Sequence, residues 1–183
     1  MILRLLTRPA VWVVIAVLGA GTLYWFQPWR LFTNTTVADA LPPPASTPSE
    51  PAITASASAS TPPPAEPVYT DLAQGSFITH EHETSGSVRI VEQPDGSRVL
   101  AVEGLQTSDG PDLRVWLTDQ PVIEGVDGWY VFDDGRVLEL GPLKGNLGDQ
   151  EYEIPADADL TGLSSVSIWC ARPNARACRS PAT

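Results

Sequence analysis

The sequence predicts an all-β fold: a single antiparallel β-sandwich or barrel-like domain, set behind an N-terminal transmembrane helix and a proline-rich linker. Three observations carry this. Short runs of β-branched and apolar residues recur about every ten residues between turn signals. No amphipathic helical period extends beyond about two turns. Composition also shifts sharply along the chain, from an apolar N-terminus through a Pro/Ala/Ser/Thr tract to a region of globular character at residues 68–183. Those 116 residues are enough for one core and not for two.

The anchor is read from residues 10–26, AVWVVIAVLGAGTLYWF, 17 residues with almost no polar group. A helix there is about 25 Å long, at the short end of a bilayer span. Arg4 and Arg8 precede it and Arg30 follows, a weak bias that leaves the N-terminus in the cytoplasm and the rest of the chain outside. Tyr24, Trp25 and Trp29 suit an interfacial belt at the far end. A cleaved signal peptide is the alternative. Ala38-Asp39-Ala40 has a small-x-small pattern, but it lies well beyond the apolar run, which is itself longer than the core of such peptides. Residues 1–33 are therefore expected to be cytoplasmic stub, anchor and flank. The protein is expected to sit in the cell membrane as a single-pass chain with its C-terminal domain extracytoplasmic.

Residues 34–67 are expected to be a disordered linker. Residues 38–67 hold nine of the eighteen prolines. Proline fixes φ and donates no backbone hydrogen bond, and Ala/Ser/Thr repeats offer too few large apolar groups for a core. Fully extended, this stretch could hold the domain roughly 90 Å from the membrane.

Within the domain, SFITHE (76–81) and SVRIVE (87–92) carry the residue mix of strands. RVLAVE (98–103) returns after Asp95-Gly96, which makes 87–103 a hairpin. DLRVWLT (112–118) alternates, with Leu113, Val115 and Leu117 on one face and Arg114 and Trp116 on the other. WYVFDDGRVLEL (129–140) places Asp134-Gly135 between two apolar runs and predicts a second hairpin. EYEIP (151–155) and SVSIWC (165–170) are the last strands.

The domain carries 8 Lys+Arg against 19 Asp+Glu, the whole of the net charge of −11. Such a surface repels phosphate backbones, so nucleic acid is excluded as a partner. His80 and His82 would sit on the same side of a strand, but no third histidine or spaced cysteine pair completes a zinc site, and no metal is expected. No acidic run has the EF-hand spacing. Asp109 is read as accepting backbone N–H bonds in the Gly110-Pro111 turn. Lys144 is read as paired with a nearby carboxylate, and Gly145-Asn146 and Gly148-Asp149 as two tight bends with positive φ.

The chain has two cysteines, Cys170 and Cys178. Period two puts Cys170 on the same face as Val166 and Ile168, pointing inward at the end of a strand, with Ser165, Ser167 and Trp169 on the opposite face. Cys178 lies in a basic tail. Two separate thiols are the expectation, with Cys170 the candidate site residue and Cys178 incidental; a disulfide closing the short loop between them is the alternative.

Five segments in order, GSF (75–77), HETSGSVRI (82–90), TSDGPDLRVWLT (107–118), LGPLKGNLGDQEYEIP (140–155) and SVSIWC (165–170), resemble the DM-thirteen family, also called the electron-transfer DM-thirteen domain. The resemblance spans about residues 75–170. It implies an all-β extracellular domain with one characteristic cysteine, matched here by Cys170, for which a redox role is proposed in the family. It implies no known substrate, and the cofactor is unknown. The departure is the C-terminus. Family members continue into a closing strand, whereas ARPNARACRSPAT has Pro173 where an aromatic residue is expected, and it reads as a tail unable to pack as a core strand.

Two functions remain open on the sequence. One is a membrane-tethered redox or electron-transfer domain centred on Cys170, with Arg172, Arg176 and Arg179 nearby in sequence to favour a thiolate. The other is a non-enzymatic envelope module that binds or spaces a partner, with the cysteine structural. The partners expected are the membrane, through the N-terminal helix, and a redox or envelope protein. No Gly-x-Ser-x-Gly elbow, Cys-x-x-Cys pair or haem-attachment motif is present, so an enzyme in the usual sense is not expected.

Overall fold

The computed structural model describes residues 9–27, 33–45, 67–129, 131–171 and 179–182. The first element, α1 (Pro9–Phe26), coincides with the apolar run. Its 18 residues reach about 27 Å, short of the ~30 Å hydrocarbon core. Among the described residues, no helix is long and apolar enough to cross a membrane.

Nine strands follow among the described residues: β1 (Thr36–Ala38), β2 (Thr70–Ser76), β3 (Ser85–Glu92), β4 (Arg98–Gln106), β5 (Leu113–Thr118), β6 (Val137–Pro142), β7 (Leu147–Ile154), β8 (Ser165–Cys170) and β9 (Arg179–Ala182). They form a five-stranded sheet in the order β1-β7-β4-β3-β2 and a four-stranded sheet in the order β6-β5-β8-β9. Neighbours in both sheets run antiparallel except β1, which pairs parallel with β7. Apolar residues at period two close the space between the sheets. Val88, Leu100, Val102, Leu105, Tyr152 and Ile154 of the first sheet meet Leu113, Val115, Leu117, Val166, Ile168 and Cys170 of the second. The sandwich form of the expected fold is the one found.

Four expectations are corrected. The strand expected at 76–81 lies earlier, at Thr70–Ser76, and pairs with β3; residues 78–84 form a loop. The hairpin expected at 129–140 has only its second arm, β6, which pairs with β5 instead. A two-residue hairpin needs positive φ at its glycine. Gly135 lacks it, and a Cβ there would collide with the Asp119 and Gln120 side chains. Phe132 is fully buried instead, and its carbonyl accepts a hydrogen bond from the buried Thr118 hydroxyl. The third correction is the tail: Arg179–Ala182 pairs with Val166–Trp169 as an edge strand, a position that tolerates Pro181.

The fourth concerns the linker. Residues 33–45, expected within or beside a structureless spacer, pack onto the domain; residues 46–66 lie outside the described residues. Thr36–Ala38 forms β1, and Leu41 then joins Tyr69 over Val91, Val99 and Ala101 on the outer face of the first sheet. Arg89, on that same face, donates to the Pro42 carbonyl (2.9 Å), to Asp71 (2.8 Å) and to Glu103 (2.6 Å).

The turn before β7 is held from inside. Gln150 is fully buried. Its Oε1 accepts from the Lys144 and Gly145 N–H groups at 3.2 and 3.3 Å and from the Tyr152 hydroxyl at 2.7 Å, while its Nε2 donates to the Gly145 carbonyl at 2.7 Å. Burial pushes the Tyr152 phenol up to about 12, so it stays a hydrogen-bond donor at any ordinary pH. Replacing Gln150 by Leu strands several buried polar groups, each costing about 1–3 kcal/mol. Gln150→Leu is therefore expected to lower stability by at least about 3 kcal/mol in denaturant unfolding, whereas a loss under about 1 kcal/mol would show that the turn stands without the amide.

Candidate functional site

Cys170 closes β8 opposite Leu113 of β5. Its side chain is 2% exposed and belongs to the central core cluster, as the period-two reading predicts. One residue further on, the Ala171 N–H still donates to the Asp112 carbonyl at 2.9 Å. Reactive thiols occupy exposed, electropositive settings. Cys170 instead has the setting of a core residue. Arg172, Arg176 and Cys178 fall outside the described residues, and so does any pairing of the two cysteines.

All six residues of β8 are buried, not only the inward three. The outward positions are covered: Ser165 Oγ donates to the Gln120 carbonyl at 2.6 Å, and Trp169 stacks on Trp116 of β5 with ring centroids 4.9 Å apart and planes at 22°. Trp116 is partly exposed, and its Nε1 donates to Glu139 at 3.3 Å. Arg114, paired in register with Trp169, bridges Asp112 at 2.8 Å and Glu139 at 2.9 Å. The backbone of β8 thus carries the core thiol and, one residue earlier, an indole that leads through a second indole to the surface. The sequence reading named both tryptophans only as residues opposite the core. Their neighbouring registers on paired strands are the signal that brings them together.

The other candidates are dispersed. His80 lies in the loop after β2, not on a strand. Its ring packs against Gly128 and sits 6.1 Å from Phe132. Burial lowers its pKa, opposed by the Ile123 backbone, so it favours the neutral form. His82 lies two residues further along that loop. Among the described residues, no group of three or more His, Cys, Asp or Glu side chains is placed to hold a metal ion. Asp109 accepts from the Gly110 N–H at 2.8 Å, as read from the turn. Lys144 pairs with Asp39 at 2.6 Å, a carboxylate of the expected linker rather than of the domain. Gly148 does take positive φ (96°), but within β7, and Gly145 does not; both make room for residues 35–37. A small cleft opens between the sheets beside Ala73, Ile90, Leu117, Leu163 and Val166. It lies at the Ser165 end of β8, opposite the Cys170 end.

A two-sheet β domain with a core cysteine ending its central strand, beside a stacked indole pair, defines the class. The family model Electron transfer DM13 matches residues 76–176, more than half of the chain. The chain belongs to that family. No curated protein and no solved structure matches it.

The packing of Cys170 makes a definite prediction. Under reducing conditions, alkylation at Cys170 of the native chain is expected to be at least about tenfold slower than in denaturant, because reaction requires opening of the core. Cys170→Ser should cost about 1–3 kcal/mol by placing a hydroxyl in that apolar setting. Equal labelling rates, read by peptide mass spectrometry, would contradict the burial.

Proposed function

We propose that the protein is an electron-transfer module tethered to the cell membrane, with its β domain extracytoplasmic and Cys170 as its redox residue. The match to Electron transfer DM13 supports the general role. The observation that carries the particular reading is the adjacency of buried Cys170 to the Trp169–Trp116 stack. A thiol so enclosed is a poor target for a macromolecular thiol, so one-electron exchange fits it better than disulfide exchange: the electron passes to an oxidising one-electron centre of the partner, the Sγ proton leaves to solvent, and the thiyl radical returns to the thiol when an electron and a proton are given back. The indole pair offers the route to a one-electron centre of a partner protein at the surface near Arg114 and Glu139.

Membrane tethering rests on α1. It carries no charged residue, and Trp12, Val13, Leu18, Tyr24 and Trp25 are all exposed on it. A helix apolar all round belongs in a bilayer or a large core. The few ångströms by which 18 residues fall short can be taken up by local thinning of the bilayer.

A second reading has a specific observation behind it. Trp169, the residue before Cys170, pairs with Arg179, which follows Cys178 in the sequence, Cys178 itself lying outside the described residues. This favours a binding or spacer module in which the cysteine is structural.

The two readings separate in one experiment. The purified chain, with thiols counted by mass spectrometry without reductant and its visible spectrum recorded, is mixed with a one-electron inorganic oxidant. The redox reading expects rapid oxidation that Cys170→Ser abolishes and that Trp116→Leu slows by at least about tenfold, as removal of an intermediate relay would. Oxidation unchanged in both variants, or a linked peptide pair containing both cysteines, would favour the structural module.

A further inference from the structure

The outer edge of β7 is shaped to receive an extended chain. Thr36, Val37 and Ala38 pair in register with Leu147, Gly148 and Asp149. The Leu147 N–H donates to the Thr35 carbonyl at 3.1 Å and the Asp39 N–H to the Asp149 carbonyl at 3.0 Å. Two glycines clear the path: a Cβ at Gly145 would lie 2.5 Å from the Thr35 oxygen, and one at Gly148 would fall on the Val37 oxygen. Asn146, 1% exposed, grips the start of the segment. Its Oδ1 accepts from the Thr35 N–H at 2.7 Å, and its Nδ2 donates to Asn34 Oδ1 and to the Thr107 carbonyl, both at 2.9 Å.

The end of the paired stretch is gripped by charge. Asp39 accepts from Lys144 Nζ at 2.6 Å and from the Glu151 N–H at 3.0 Å. The Lys144 hydrogen bond first, and the Glu151 N–H next, hold its carboxyl below the ordinary carboxylate range. The residues that grip, Lys144 to Glu151, lie inside the span matched by the family model, whereas residues 33–45 lie outside it.

We propose that the edge of β7 from Lys144 to Glu151 is a peptide-binding groove, specific for an extended segment with an acid directly after its paired stretch, and that residues 33–45 are its resident ligand. Recognition is by strand addition: backbone hydrogen bonds supply attachment, and the two glycines, Asn146 and Lys144 supply selection. The segment is held by these contacts as well as by its covalent connection through residues 46–66. Its departure would bare a sheet edge and the Val91, Val99 and Ala101 surface, both adhesive to other chains.

The test uses the full chain in detergent, with an N-terminal affinity tag and a protease site inserted within residues 46–66. After cleavage the two fragments share only non-covalent contacts. The domain is expected to remain on the tagged fragment, and excess synthetic peptide of residues 33–45 is expected to displace it by blocking rebinding. Asp39→Lys, which changes the ligand and leaves the groove intact, should speed release at least about tenfold, the equivalent of about 1.4 kcal/mol. Gly148→Val, which fills the carbonyl clearance, should do the same, and Asp39→Lys carries the test if that variant does not fold. Immediate loss of the wild-type domain on cleavage, or equal retention of wild type and Asp39→Lys, would overturn the proposal.

Discussion

The first sheet is apolar on both faces, and the rest of the arrangement follows from that constraint. Along β3 and β4, Val88, Leu100 and Val102 face the second sheet, while Val91, Val99 and Ala101 face the other way and are no less buried. A sandwich covers only one face of each sheet. The outer face here needs a further layer, supplied by Leu41 and Tyr69, with Pro42 beside them satisfying Arg89. Burying Arg89 is tolerable only because Asp71, Glu103 and that carbonyl surround its guanidinium. The segment that brings Leu41 into place is the one that pairs with β7, so the cover and the edge strand are one structure.

This changes what the proline-rich region does. A spacer of residues 34–67 would let the domain range far from the anchor. With residues 33–45 fixed to the domain, only the six residues between Phe26 and Thr33 separate helix from fold, seven Cα–Cα steps that reach at most about 25 Å. If α1 lies in a membrane, the domain works close to its surface, and residues 46–66 connect β1 to β2 rather than membrane to domain. A partner of the Trp116 surface would then meet the domain near the bilayer, in keeping with the electron-transfer role proposed above.

Much of this was legible in the sequence. The alternation Leu113, Val115, Leu117 and the face shared by Val166, Ile168 and Cys170 placed the core and the candidate thiol, because inward residues of a central strand must be apolar. The β3–β4 hairpin was marked by Asp95-Gly96, and Gly96 takes the positive φ that such a turn uses. What was not legible rests on long-range pairing. β2 and β9 are edge strands of mostly polar or small residues, made strands by the ladders of β3 and β8 rather than by propensity. Asp134-Gly135 mimicked a hairpin because sequence does not show that Phe132 is pulled into the core. The docked segment did leave a trace: consecutive apolar residues in VRIV and RVLAV exceed what a one-sided sheet needs and call for a cover on the second face.

The central claim, that residues 33–45 belong to the folded domain, is tested most directly by native-state hydrogen exchange on the intact chain. The amides to follow are Thr35, which donates to Asn146 Oδ1, and Asp39, which donates to the Asp149 carbonyl. Both are expected to be protected at least about a hundredfold over an unstructured peptide and to gain exchange together when Asp39 is replaced by Lys. Exchange of both at the free-peptide rate, in a chain whose β7 amides remain protected, would contradict the account.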